Sequence, residues 1–391
     1  MQTTNSYIIY GYAPTGEAVY HKLLVEGKKV TCFCEDSLVE REATATDIAI
    51  YSLEEIVSKD ISGIFIVCVA NYQNITQKLL QHGINDWILA CDILTDADVM
   101  DVSYATKAQG MAVRQVKSCL QEQALCGNEN YLLMRNLDLV VTERCSMKCR
   151  DCSNLMQYYK KPRDYSLEEI ICWIDELLQY VDEIIELRIL GGEPFMNGNL
   201  ANIMHGLLPK NQIKYITIYS NAMIMPTREM WDAVSHDKFG FSITDYGVRS
   251  QRLREICQEL EKRHIAYDVH PCGKWTQCSL IHKHNRSASA NQSIYNECCG
   301  KNLTTLLNGK IYKCPFMANA MNLKAIPQEA SDFISVSSLS NLSLIDARKV
   351  ISDYLHRGYY ASCDFCMGRS YSDVAIEPAI QTATPLSYQE V

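Results

Sequence analysis

Cys145, Cys149 and Cys152 lie within eight residues of one another and are the side chains of this chain best suited to unusual chemistry. Thiolates are the usual ligands of iron–sulfur clusters, which normally take four. Three thiolates leave one iron open. A molecule with an amino and a carboxylate group can chelate that iron and receive an electron through it. The competing reading is a zinc site, which wants a fourth ligand close by, whereas Cys172 falls on a predicted helix.

A second set lies downstream. Cys299 and Cys314 flank the run GKNLTTLLNGKIYK, and Cys363-Asp-Phe-Cys366 follows much later. Four thiolates complete the ligands of one [4Fe–4S] cluster, although a structural zinc site of four cysteines has the same spacing. Cys298 adjoins Cys299 and fits equally well, and Cys299 is taken as the ligand. The stretch LTTLLNGKIYKC reads as a β-hairpin turning at Asn308-Gly309. Cys272 and Cys278 read as ordinary thiols, and Cys32, Cys34, Cys68 and Cys91 as small core hydrophobes.

The positioning elements form three regions. Residues 1–95 alternate candidate strands (Ser6 to Tyr10, Lys29 to Cys34, Ile48 to Tyr51, Gly63 to Ala70, Trp87 to Cys91) with helical stretches, a Rossmann-like parallel-sheet pattern. Its first turn, Gly11-Tyr-Ala-Pro-Thr-Gly16, precedes a helix-compatible run, and Glu35 ends the second strand. Such a turn can place a phosphate at a helix N-terminus and the carboxylate near a ribose. The turn has two glycines where the full dinucleotide fingerprint has three, and a tight turn without ligand is the plainer reading. Residues 96–130 read as a helical connector.

Residues 131–272 alternate again, from strand Leu137 to Thr142 through Glu186 to Leu190, Tyr215 to Tyr219 and Phe239 to Thr244 to Ile265 to Val269, with helices between. Five or six βα units suit a partial (β/α)6 barrel, giving the chain the α/β class. The cysteine triplet leaves the C-terminal end of the first of these strands, where barrel enzymes carry their chemistry. Gly191-Gly192-Glu193-Pro194 follows the second, Ser220-Asn221 ends the third, and Ser242 lies on the fourth. Residues 273–391 lose the alternation and are expected to form a small metal-held domain.

With 47% hydrophobic and 21% charged residues among 391, the chain is an ordinary globular one. Its longest apolar run, Ile64 to Ala70, is far short of a membrane span, and the N-terminus has no targeting pattern, so a cytoplasmic location without membrane contact is expected. A net charge of −9 makes nucleic acid an unfavourable partner. Eighteen cysteines in such a chain read as metal ligands or reduced core residues.

Cys-x-x-x-Cys-x-x-Cys after a first barrel strand, followed by GGEP after the second, resembles the radical S-adenosylmethionine superfamily over roughly residues 131–370. The resemblance implies a [4Fe–4S] cluster on Cys145, Cys149 and Cys152 and reductive cleavage of S-adenosylmethionine to methionine and a 5′-deoxyadenosyl radical. Gly191, Gly192, Glu193 and Pro194 would then receive the methionine ammonium, with Ser220, Asn221 and Ser242 beside the ribose or carboxylate. The family commonly has an aromatic residue where this chain has Asp151, which implies altered adenine packing or a substrate contact. The C-terminal cysteines resemble the twitch domain, a shortened SPASM domain, and imply one auxiliary [4Fe–4S] cluster. GYAPTG and YSLEEI loosely resemble the N-terminal domain of sugar-nucleotide acetyltransferases, which implies binding of a nucleotide or nucleotide-linked sugar by Gly11, Gly16 and Glu35.

The expected activity is radical oxidation or rearrangement of a sugar, polyol or nucleotide-sugar, with a flavodoxin or ferredoxin as electron donor. The auxiliary cluster would accept an electron from the substrate radical. Asp245, Tyr246, His270 and Lys274, on barrel loops, are the candidate bases. A peptide-modifying maturase is the alternative, against which residues 1–95 do not read as a winged helix. A non-catalytic sensor would need no GGEP cradle.

Overall fold

The computed structural model describes residues 6–36, 48–70, 72–100, 109–125, 128, 131–370 and 373–388. Residues 1–129 and 130–391 form two compact units. The first is a five-stranded parallel sheet of β1 (Ser6–Tyr10), β2 (Lys29–Cys34), β3 (Ile50–Tyr51), β4 (Ile64–Val67) and β5 (Trp87–Leu89), in the order β3-β2-β1-β4-β5. Every strand is apolar on both faces because helices cover both. Ile9, Phe33 and Ile66 pack with Val19, Ala112 and Val116 on one face, while Ile8, Cys32, Phe65 and Val67 pack with Leu53, Ile56 and Leu79 on the other.

This packing changes the reading of the connector. Helix Gln109–Leu125 supplies Ala112 and Val116 to the first unit's core and is part of that unit. The helix Leu53–Ser58 begins at a capping box, with Ser52 and Glu55 each satisfying the other's backbone N–H.

The second unit is built on β6 (Leu133–Thr142), β7 (Glu183–Gly191), β8 (Ile213–Ser220), β9 (Phe239–Asp245) and β10 (Ala266–Pro271), parallel neighbours in that order. Helices Leu167–Leu177, Leu200–Leu207, Arg228–Ala233 and Leu253–Lys262 make the crossovers. Leu139, Leu187, Ile189, Ile216, Ile218, Phe241 and Ile243 are fully buried in one core with Ile174, Ile203, Met204 and Ile256 of those helices. The α/β class read from the sequence is the class observed.

The sixth parallel strand comes from the cysteine-rich region. β11 (Trp275–Thr276) is followed by the hairpin β12 (Thr305–Leu307) and β13 (Lys310–Tyr312), and β12 pairs parallel with β6, Thr305 facing Asp138. β14 (Ile334–Ser335) extends the sheet beyond β13, giving the order β10-β9-β8-β7-β6-β12-β13-β14. Residues 273–391, expected as a separate small domain, thus share a sheet and a core with the barrel strands. β15 (Ala375–Ile376) returns to pair antiparallel with β11.

The hairpin turn has the conformation expected of Asn-Gly, with φ of 52° at Asn308 and 70° at Gly309. A Cβ on Gly309 would come within 3.1 Å of the Trp173 indole nitrogen. Gly309→Val adds a branched side chain at positive φ against that ring and is expected to destabilise the second unit by about 2 kcal/mol. A urea unfolding midpoint equal to that of the native chain would contradict this.

Candidate active site

The cysteine loop is fixed by contacts with the turn after β7. Gly192 N–H donates to Thr142 O at 3.0 Å and Glu193 N–H to Arg144 O at 2.8 Å. A Cβ on Gly191, whose φ is 145°, would overlap the Thr142 carbonyl, and one on Gly192 the Arg144 carbonyl. Two residues without side chains let the two backbones touch.

Glu193 is 1% exposed. Its carboxylate accepts from Ser220 Oγ at 3.0 Å and Asn221 N–H at 2.9 Å. Burial pushes its pKa up to about 7, against the pull of these hydrogen bonds. Asn221 Nδ2 also reaches Ser146 Oγ at 3.1 Å and Cys145 Sγ at 3.9 Å. Ser220 and Asn221, expected at a ribose, therefore spend their hydrogen bonds on Glu193 and the cysteine loop.

Cys145, Cys149 and Cys152 gather with Met147, Met223, Tyr246, Trp275 and Ala379. Burial raises the pKa of all three thiols, while backbone hydrogen bonds from Met147 to Cys145 and from Asn154 and Met156 to Cys152 act the other way. Cys149 has a side-chain partner that the sequence did not reveal. Gln381 Nε2 donates to Cys149 Sγ at 3.2 Å while its Oε1 accepts from Lys148 N–H at 2.7 Å. The neighbouring backbone follows, with Arg150 N–H donating to Ile380 O and Thr382 N–H to Lys148 O, both at 2.7 Å.

Asp151 has two side-chain partners. It is buried, accepting from Arg150 Nε at 2.8 Å and Gln277 Nε2 at 2.9 Å, and so links the cysteine loop to the segment after β11.

Of the candidate bases, the structure brings Tyr246 to the three thiols, where it meets Trp275 edge-on at 6.4 Å and burial raises its pKa. Asp245 accepts from Gly247 N–H at 2.7 Å, and Lys274 is exposed. His270 Nε2 lies 3.0 Å from Ser242 Oγ, so Ser242 has a strand-end partner of its own. The segment His282 to Ser287 is tied to the second cysteine region: His282 N–H donates to Phe365 O and His284 N–H to Asp364 O.

The second set of thiols surrounds a cavity lined by Cys298, Cys314, Cys363, Cys366 and Arg369. Gly300 N–H donates to Cys298 Sγ at 3.3 Å and Met317 N–H, at the start of helix Pro315–Asn322, to Cys314 Sγ at 3.5 Å. Burial pushes the Cys314 thiol up to about 11 and Cys363 to about 12, with Cys298 and Cys366 also raised. Backbone hydrogen bonds from Tyr360 and Gly368 oppose this at Cys363 and Cys366. Asp332, fully buried, accepts from the N–H groups of Ala361 and Ser362, and Arg286 Nη1 donates to the carbonyls of Cys363 and Cys366 at 3.1 and 2.9 Å.

Cys299 does not line this cavity. Its N–H donates to Arg369 O at 2.8 Å, and the extended backbone at Cys298 turns the two adjacent side chains apart. The adjacent thiol Cys298 lines the cavity. Half-buried Arg369 stands among Cys278, Cys298, Cys299 and Cys314. Among the described residues, no three His, Cys, Asp or Glu side chains converge on one ion position.

In the first unit, Gly11 follows β1 at the point where the sheet order reverses between β1 and β4. Gly16 packs against the Gly11 carbonyl, and Glu35 accepts from Tyr12 N–H at 3.4 Å. Among the described residues no helix is long and apolar enough to cross a membrane.

Residues 139–260 match the family model for the radical SAM superfamily. A GTP 3′,8-cyclase of Listeria welshimeri is 30% identical over 87 residues, which are 22% of this chain and 26% of that protein. A GTP 3′,8-cyclase of Ectopseudomonas mendocina is 31% identical over 86 residues, 22% of this chain and 25% of the relative. The chain spans about a quarter of the length of the curated relatives it matches. Among solved structures, BtrN in complex with AdoMet and 2-DOIA aligns over 63% of this chain and 100% of its own, with a TM-score of 0.40 and 14% identity. Streptococcus suis SuiB bound to S-adenosylmethionine aligns over 63% and 71%, with a TM-score of 0.31 and 11% identity. Residues 139–260 of this chain thus match a domain of the radical SAM superfamily.

Proposed function

We propose that this chain is a radical S-adenosylmethionine oxidase of a compact polar substrate, a sugar, polyol or nucleotide-linked sugar, with a second [4Fe–4S] cluster in the cavity of Cys298, Cys314, Cys363 and Cys366. The observation that carries the reading is the presence of this four-thiol cavity in the same compact unit as the Cys145, Cys149 and Cys152 loop. The donor chemistry fits both groups. Three thiols leave a ligand position to a cosubstrate, four complete a cluster, and backbone N–H groups already point at sulfur at both places.

Held by Cys145, Cys149 and Cys152 and by the four-thiol cavity, the two groups would together supply a two-electron oxidation of the substrate, one hydrogen atom going to the cleaved S-adenosylmethionine, one electron to the second cluster and one proton to a base. The chain's own residues orient and exclude water. Gln381 and Asn221 hold the sulfurs of Cys149 and Cys145, and Glu193 offers a buried carboxylate to an ammonium group. Tyr246, packed on the thiols, keeps its proton because burial raises its pKa, so Asp245 and His270 are the proposed proton acceptors among the loop candidates. A flavodoxin or ferredoxin would deliver the electron. In the first unit Gly11, Gly16 and Glu35 remain the proposed cradle for a nucleotide or nucleotide-linked sugar.

Binding iron at thiols whose pKa burial has raised releases protons, so reconstitution should proceed more completely at pH 8 than at pH 6. Anaerobic reconstitution is expected to give roughly eight irons per chain. Cys145→Ala should keep about four and form no 5′-deoxyadenosine. Cys298→Ala should lose about four irons while Cys299→Ala keeps them all, and the reverse pattern would refute the ligand assignment. Glu193→Gln is expected to weaken S-adenosylmethionine binding by about tenfold or more, the scale of one charged hydrogen bond. Equilibrium dialysis giving an unchanged Kd would remove Glu193 from that role.

A further inference from the structure

The concave face of the barrel sheet carries charge where a sheet covered by helices would carry hydrocarbon. In register across adjacent parallel strands stand Thr305 of β12, Asp138 of β6, Arg188 of β7 and Thr217 of β8. One step toward the strand C-termini come Tyr219, Ser242 and Asp268, again in register. Parallel register puts these side chains on one face. The other face, with Leu187, Ile189, Ile216, Ile218 and Phe241, belongs to the apolar core.

The charges are only partly matched. Arg188 Nε donates to Glu186 Oε2 at 2.6 Å, and Glu186 Oε1 accepts from Thr217 Oγ1 at 2.8 Å, so this guanidinium is largely neutralised by its own strand neighbour. Asp138 is 2% exposed and its Oδ1, 3.8 Å from Arg188 Nη1, has no hydrogen bond. Asp268 Oδ1 is likewise buried without a hydrogen bond, 4.0 Å from His270 Nε2. An acceptor buried without a donor is costly, more so when charged, and calls for a partner.

Building on the radical SAM reading, we propose that this face is the substrate pocket and that it selects a compact, hydroxyl-rich molecule bearing an ammonium group, held by Asp138 and Asp268. Three carboxylates against one engaged guanidinium repel a carboxylate or phosphate and attract a cation. The carboxylate oxygens of Asp138 and Asp268 that lack a hydrogen bond need donors along the wall. A polyol supplies these, whereas the methylene stem of a lysine side chain would leave them unmatched. Burial pushes Asp138 up to about 7, and an ammonium beside it would draw it back toward the charged form.

The test uses the reconstituted full chain and four probes of similar size, with affinities measured by calorimetry: D-glucosamine, N-acetyl-D-glucosamine, D-glucuronate and Nα-acetyl-lysine methylamide. Glucosamine should bind about tenfold or more tightly than each of the others, the scale of one charged hydrogen bond. Asp138→Asn and Asp268→Asn, which preserve shape, should each abolish that preference. Glucuronate or the lysine derivative binding as well as glucosamine, or glucosamine failing to bind, overturns the proposal, as does a preference that survives both substitutions. Formation of 5′-deoxyadenosine from S-adenosylmethionine and dithionite by the same preparation reports separately on the radical SAM reading.

Discussion

The closest approach in the site is between two stretches of backbone: the Gly191-Gly192 turn and the residues that begin the cysteine loop. No side chain fits between them, and two inter-loop hydrogen bonds span the gap. Because the turn ends β7 and the loop begins at the end of β6, the pairing of those strands sets where all three sulfurs stand. Glu193 follows immediately and inherits the same position, and through Asn221 the end of β8 is drawn to the same point. The local chemistry thus depends on register between three parallel strands rather than on any one loop.

Burial governs both groups of thiols. Removing sulfur from water favours the protonated form, and backbone amides partly reverse this at Cys152, Cys314, Cys363 and Cys366. The amides at the second group are fixed by the fold: Gly300 by its turn, and Met317 by the first turn of a helix, where free N–H groups are available. Arg369 adds a fixed positive charge among Cys278, Cys298, Cys299 and Cys314.

Much of the scaffold was legible because its signals are local. Strands buried on both faces read as apolar runs, and Asn308-Gly309 marks a hairpin whatever surrounds it. The triplet and GGEP were legible through spacing. The choice between Cys298 and Cys299 was not, because spacing cannot say which of two adjacent side chains faces a cavity. The alliance of β12 with β6 was hidden for a different reason: it joins residues more than 160 positions apart, and neither segment names its partner. The polar concave face was written in the sequence as Glu186 and Arg188 alternating with Leu187 and Ile189, a period-two pattern inside a strand assigned to a buried sheet. Gln381 carried no signal at all, since an isolated glutamine in a polar segment has no distinguishing neighbourhood.

That glutamine bears on the order in which the protein matures. Its amide meets Cys149 across 232 positions of chain, and the carbonyl of Ile380 and the N–H of Thr382 fasten the same loop. During synthesis the three thiols leave the ribosome long before this fastening segment exists, and domains fold as they emerge. The cysteine loop therefore reaches its fastened form only after residues 380–382 have been made.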